Sequence, residues 1–276
     1  MKLFGYTYVY NEEAMIPYVL PYILRMGYDK FVIYDDGCTD NTIPILTEKL
    51  SAAGIECEVR DTNFDVEYGF AGRKREAHIL ASRECKGIID ETGEHIWMTF
   101  TDFDEVIYCS RERQECLKEY LEIEDKRGYN CFTGRMLHLT WSGNIKNDKL
   151  LPHQWENVRG TWWMSEGMKP TIIRVNDFKE LLIYCGNHHM GAQMADGCAL
   201  KDLSECGEFH GFHLKYFNGE VFKRKLHSHY HGTPERNLTE IIACSFPIEW
   251  YFFEKGLMAK KTELNERDGG EGIYLV

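Results

Sequence analysis

Residues 3–10, LFGYTYVY, form an apolar and aromatic run of strand length. The period then changes. In EEAMIPYVLPYILRM, residues 12–26, Met15, Ile16, Val19, Leu20, Ile23 and Leu24 recur at one face of a helix. Pro17 and Pro21 predict a bend or a delayed start, and Gly27 stands where a C-terminal cap belongs. KFVIY, residues 30–34, is a short buried-type strand. DDGCTDNT has turn chemistry, with Asp40 or Asn41 able to cap the helix TIPILTEKLSAAG, residues 42–54. IECEVR (55–60) predicts a third strand, GRKREAHILASREC (72–85) a third helix, and HIWMTF (95–100) a fourth strand.

This alternation predicts a Rossmann-like α/β fold: a mostly parallel central sheet with helices on both faces. Ligands of such sheets gather at the C-terminal strand edges. Three of those edges carry Tyr10-Asn11-Glu12, Asp35-Asp36 and Asp102-Phe103-Asp104. After residue 128 the pattern becomes mixed: YNCFTGRMLHLTW, KPTIIRV, LLIYC and FHGFHLKYF read as strands between irregular polar loops. No Pro/Ser-rich linker separates the halves, so residues 1–276 are expected to form one domain. Within it, 1–108 would be a ligand-binding half, 109–235 a second half and 236–276 a helical tail.

Composition narrows the classes. Hydrophobic content of 43% and charged content of 28% are those of an ordinary globular protein with a substantial core. A formal net charge of −12 repels phosphate backbones, so nucleic acid is not an expected partner. None of the ten cysteines pair as C-x-x-C, and several sit in apolar runs where Cys acts as a small hydrophobe. With no signal-peptide pattern and no window of about 20 apolar residues, a reducing cytoplasm with free thiols is expected.

The acidic tip TDFDE is the strongest chemical signal. On an extended segment, Asp102 and Asp104 would face the same side. Two such carboxylates repel unless a cation or shared proton relieves them, and a hard divalent ion does so while leaving room for phosphate oxygens. A solvated turn is the bland alternative. A haloacid-dehalogenase-like phosphatase is the rival chemistry, because D-F-D-E-V fits D-x-D-x-[TV]. That pattern normally opens its chain and needs a later strand ending in paired acids, which is not found downstream of Val106.

YVYNEEAMIPYVLPYILRMGYDKFVIYDDGCTDNT together with TDFDEVI resembles the GT-A glycosyltransferases of the family 2-like group, with their N-E, D-[DN]-G-S-T-D-x-T and D-x-D-E-F motifs. KPTIIR, from Lys169 to Arg174, and HLKYF, from His213, are looser matches, and Cys38 stands where Ser is usual. The resemblance implies a GT-A fold and a metal-dependent, inverting transfer of a sugar from a nucleoside-diphosphate donor, UDP-sugar favoured, to a glycan or other hydroxyl acceptor. It implies donor contacts from Tyr8, Tyr10, Asn11, Glu12, Asp36, Arg75, Asp102, Phe103 and Lys169. Tyr10 would stack on the base, and Asp36 would accept its imide N–H. Of Arg73, Lys74 and Arg75, two are expected to be a solvated face, with Arg75 aligning best to the donor position. Mn²⁺ or Mg²⁺ would sit on Asp104 and Asp102, with His189 or His213 as a further ligand. Glu166, Asp196 and Glu205, with Glu208, are candidates for the carboxylate that deprotonates the acceptor, and Asp104 anchors the chemistry.

Other features have mainly structural readings. HSHYH, with His227, His229 and His231, lacks a fourth zinc ligand nearby and reads as a solvated helix end. Trp141, Trp162 and Trp163 could stack on acceptor sugars or fill the core. The tail FPIEWYFFEKGLMAKK reads first as a helix packed on its own domain, with a homo-oligomer contact or a peripheral membrane contact as the sharper readings. A non-catalytic nucleotide-sugar or glycan-binding module remains an alternative. A nucleotidyltransferase is set aside because YNEEAMIP replaces its glycine-rich loop.

Overall fold

The first four strands stand side by side in a computed structural model that describes residues 1–64, 69–109, 116–133, 136–141, 158–162, 171–184, 189–203, 209–213 and 273–275. β1 (Lys2–Val9), β2 (Lys30–Asp35), β3 (Glu56–Asp61) and β4 (Ile96–Asp102) pair in parallel, with β1 between β2 and β4. β9 (Ile172–Arg174) adds antiparallel to β4, and β6 (Cys131–Phe132) closes the far edge, giving the order β3-β2-β1-β4-β9-β6. This is the mostly parallel α/β sheet expected.

Side-chain alternation along β1 explains the layers. Leu3 and Val9 face α1 (Ile16–Ile23), α2 (Thr42–Ala52) and α4 (Leu117–Lys126). Phe4, Tyr6 and Tyr8 face α3 (Gly69–Thr92), where Ala77, Ala81 and Cys85 allow close approach. Gly5 is required by contact: a Cβ there would lie 2.4 Å from the Phe31 ring and 2.8 Å from that of Tyr28. Pro17 sits in the first turn of α1 and delays its start, and Gly27 ends the segment with a φ of 79°.

The sequence reading falls short in two helices. α3 runs well past residue 85, because Ile88 and Ile89 continue its apolar stripe until Gly93 turns the chain with a φ of 70°. α4 went unread because its Leu117, Tyr120, Leu121 and Glu124 stripe is diluted by charged neighbours.

The second half is mixed, as expected. β5 (Glu105–Cys109), β7 (Met136–Trp141), β8 (Val158–Trp162), β12 (Phe209–His213) and β13 (Ile273–Leu275) form a sheet in the order β13-β8-β7-β12-β5. β10 (Phe178–Tyr184) and β11 (His189–Met194) form a separate hairpin pair. YNCFTGRMLHLTW, read as one strand, divides into β6 and β7 in different sheets. Cys38, Cys57, Cys85, Cys116, Cys131 and Cys198 are free thiols. Among the described residues, no helix is long and apolar enough to cross a membrane. Of the expected helical tail 236–276 only Ile273–Leu275 is described, and it is the strand β13, paired with β8; HSHYH lies outside the described residues.

Candidate functional site

Strand register assembles the site. Tyr8 of β1 pairs with Asp102 of β4, and Val9 pairs with Asp35 of β2, so three strand ends meet at one edge. Strand order reverses between β1 and β4, the place where sheets of this kind leave a crevice.

The loops after β1 and β2 brace one another. Asn11 adopts a left-handed φ of 52°, and its Oδ1 accepts the Thr39 N–H at 2.7 Å and the Asp40 N–H at 3.3 Å. The Glu12 N–H donates to Thr42 Oγ1 at 2.7 Å. Asp35 Oδ1 accepts the N–H groups of Gly37 and Cys38 at 3.0 and 2.8 Å, the work of a turn residue. The Asn11 N–H donates to Cys38 Sγ at 3.3 Å, so the thiol sulfur is the acceptor there. Burial pushes that thiol up to about 12, which keeps it protonated at neutral pH. Asn11 and Glu12 therefore hold the loops, and Tyr10 beside them is half-buried.

Asp36 is held differently. Thr62 Oγ1 donates to its Oδ1 at 2.9 Å, and Arg73 grips both oxygens, Nε at 2.8 Å and Nη2 at 3.0 Å. The Tyr8 hydroxyl donates as well. Burial alone would raise the Asp36 pKa, but the hydrogen bonds from Arg73, Tyr8 and Thr62 outweigh it and hold the carboxyl below its ordinary value. Four donors match the roughly four acceptor sites of a carboxylate. A further donor reaching Asp36 would have to take the place of one of them. Tyr8, buried at 4% exposure, acts on this carboxylate from beneath.

The acidic tip corrects an expectation. β4 ends at Asp102, Phe103 and Asp104 form a turn, and β5 begins at Glu105. Strand alternation therefore does not carry from Asp102 to Asp104. Glu105 Oε2 accepts the Asp102 N–H at 2.9 Å and closes the turn. Phe103 is 2% exposed and packs with Val9, Met15 and Val106, so its ring belongs to the core and not to a donor surface. Asp104 and Glu105 are both buried. The Asp102 carboxylate forms an ion pair with the Lys74 ammonium.

The three basic residues opening α3 also divide unexpectedly. Arg73 holds Asp36 and Lys74 holds Asp102, whereas Arg75 is exposed. Each residue turns about 100° round a helix, and the buried stripe is Lys74, Ala77, His78, Ala81 and Cys85. That stripe was visible in the sequence, and it would have placed Lys74 against the sheet. Thr62 had no such signal.

The remaining candidates are spread out. Asp196 is exposed in a turn. His213 occupies the β12 position paired with Glu105 of β5, one residue from Asp104, whereas His189 lies in the β10–β11 pair opposite Tyr184. His210 pairs with Tyr108. Glu166, Lys169, Glu205, Glu208, His188 and Trp163 lie outside the described residues. Among the described residues, no three His, Cys, Asp or Glu side chains converge as a metal site, and Asp102 is already balanced by Lys74. The described side chains do not by themselves fit a divalent ion.

No protein-family profile and no curated protein matches the chain. Among solved structures, it is similar to S. aureus TarS residues 1–349 in complex with UDP: 16% identity over 96% of this chain and 78% of that one, with a TM-score of 0.40. A longer S. aureus TarS structure shares 16% identity over 97% of this chain and 46% of its own, with a TM-score of 0.38.

Proposed function

We propose that the chain is a glycosyltransferase that takes a sugar from a nucleoside-diphosphate donor. One observation carries the reading: the Asp36 and Asp102 corners lie on either side of β1 at the switch point of a parallel sheet, each already held by a cation from α3. An ionised acceptor at Asp36 suits the imide N–H of uracil, so a UDP-sugar is the favoured donor. Tyr10, at the end of β1, is the aromatic group for the base.

Transfer would be a single in-line displacement with inversion, the acceptor hydroxyl losing its proton to a carboxylate as it attacks. The base is sought among Glu166, Asp196 and Glu205. The resemblance implies Mn²⁺ or Mg²⁺ as well, but among the described residues no three ligating side chains converge to hold it. The acceptor is a glycan or another hydroxyl compound, and the setting is cytoplasmic, with the tail as the surface for a second copy or a membrane face.

The protein is mixed with UDP-, GDP- and dTDP-sugars, with manganese or with a chelator, and nucleotide diphosphate release is followed. UDP should appear from a UDP-sugar, and Asp36→Ala and Asp104→Ala should each slow it about 100-fold or more. Phosphate release from simple monoesters, abolished by Asp102→Asn, would establish the phosphatase instead. Nucleotide binding without release would establish a binding module.

A further inference from the structure

Asp36 is a full acceptor before any ligand arrives. Thr62 Oγ1, the Tyr8 hydroxyl and two nitrogens of Arg73 already occupy its oxygens. These partners are not equally placed. Thr62 and Tyr8 are 2% and 4% exposed, and they hold the carboxylate from inside the fold. The Arg73 side chain is 31% exposed and that of Asp36 only 11%, so the guanidinium is the partner that stands between the carboxylate and solvent. Lys74, the next residue of α3, is buried and paired with Asp102, and cannot exchange in the same way.

Moving Arg73 off Asp36 has two costs. Charge-assisted hydrogen bonds are broken, and a cation and an anion are separated in a partly desolvated place. A neutral ligand with one N–H replaces one of those bonds and none of the charge. A ligand that also carries an anion gives the released guanidinium a new counter-charge. The long, half-exposed Arg73 side chain can turn outward to meet it, while Thr62 and Tyr8 keep the carboxylate in place.

We infer that Arg73 is a latch on Asp36 that a nucleotide opens and a nucleoside does not. The base imide N–H takes the place of the guanidinium on the carboxylate, and the nucleotide's phosphates receive the guanidinium's charge. The inference rests on the transferase reading for the kind of ligand and goes beyond it by naming what selects the phosphorylated form. Selection then comes from an internal competitor, because apparent affinity falls with the fraction of protein whose site is occupied.

The test compares uridine with 3-methyluridine, and UDP with its N3-methylated form, by calorimetric titration of the full chain. In native protein, methylation should weaken UDP about tenfold or more and uridine less than about twofold, because only the nucleotide brings its imide to Asp36. Arg73→Met should bind uridine about tenfold or more tightly than native protein and acquire the methylation penalty for it. Arg73→Lys, which keeps a cation without the two-pronged hold, should fall between them. The native comparison stands whether or not Arg73→Met folds. A native penalty as large for uridine as for UDP, or uridine affinity unchanged or lowered in Arg73→Met, would overturn the inference, as would absence of binding by both ligands. Turnover of a UDP-sugar is scored apart. The expected pattern without turnover counts against transfer and leaves the latch standing, and turnover without the pattern does the reverse.

Discussion

Asp36 and Asp102 end neighbouring regions of one sheet edge, and consecutive residues of α3 hold them, yet the two corners are built on different principles. At Asp36 a planar guanidinium, a threonine and a tyrosine fix the carboxylate in orientation and charge. At Asp102 the partner is an ammonium without geometric preference, on a turn that Glu105 closes through the backbone. The first corner fixes its carboxylate in orientation as well as charge, whereas the second is supplied with a counter-charge.

The largest effect that would break this contrast is on stability. Asp102→Leu takes the Asp102 counter-charge from the Lys74 ammonium, whose side chain is 3% exposed, and should lose about 3–5 kcal/mol in urea unfolding. Adding Lys74→Met should restore much of that loss. Arg73→Met should cost less, about 1.5–3 kcal/mol, because the Arg73 side chain is 31% exposed and Thr62 and Tyr8 still serve Asp36. A larger loss in Arg73→Met than in Asp102→Leu would reverse the comparison.

The pH dependence sharpens it. Asp36 has a folded pKa below its ordinary value, so its contribution is present above that ordinary value and disappears as pH falls through the folded one. The stability gap between native protein and Arg73→Met should therefore narrow from pH 6 towards pH 3, followed by thermal unfolding. Tyr8→Phe, removing one donor to Asp36, should cost about 1 kcal/mol, read by the same method. Arg75→Ala should stay within about 0.5 kcal/mol of native protein and leave nucleotide release unchanged, since the residue is exposed off the stripe. A marked loss of donor turnover in that variant would return Arg75 to the site.

Much of this frame is legible in residue patterns alone. LFGYTYVY, KFVIY and HIWMTF read as strands because a parallel strand covered on both faces must be apolar throughout. Their ends named the edge where Asp36 and Asp102 meet. Three things were hidden for physical reasons. Alternation says nothing about where a strand stops, so the turn at Phe103 and Asp104 passed for extended chain. Charge hid α4, whose Glu124 lies buried within an otherwise apolar stripe. Proximity in sequence suggested that Arg73, Lys74 and Arg75 act alike, whereas helical rotation sends each to a different environment. That His213 lies opposite Glu105, and His189 opposite Tyr184, is a matter of strand register, which joins residues far apart in the chain.

That long-range pairing has a temporal consequence. Glu105 lies opposite His213, so the acidic turn gains its flanking strand only when chain about 100 residues downstream is available. At synthesis rates of about 5–20 residues per second, the Asp36 corner can form many seconds before the Asp102 corner is walled in. The counter-charge of Asp102 comes from α3, in the early-made part of the chain, and does not wait for the later segments.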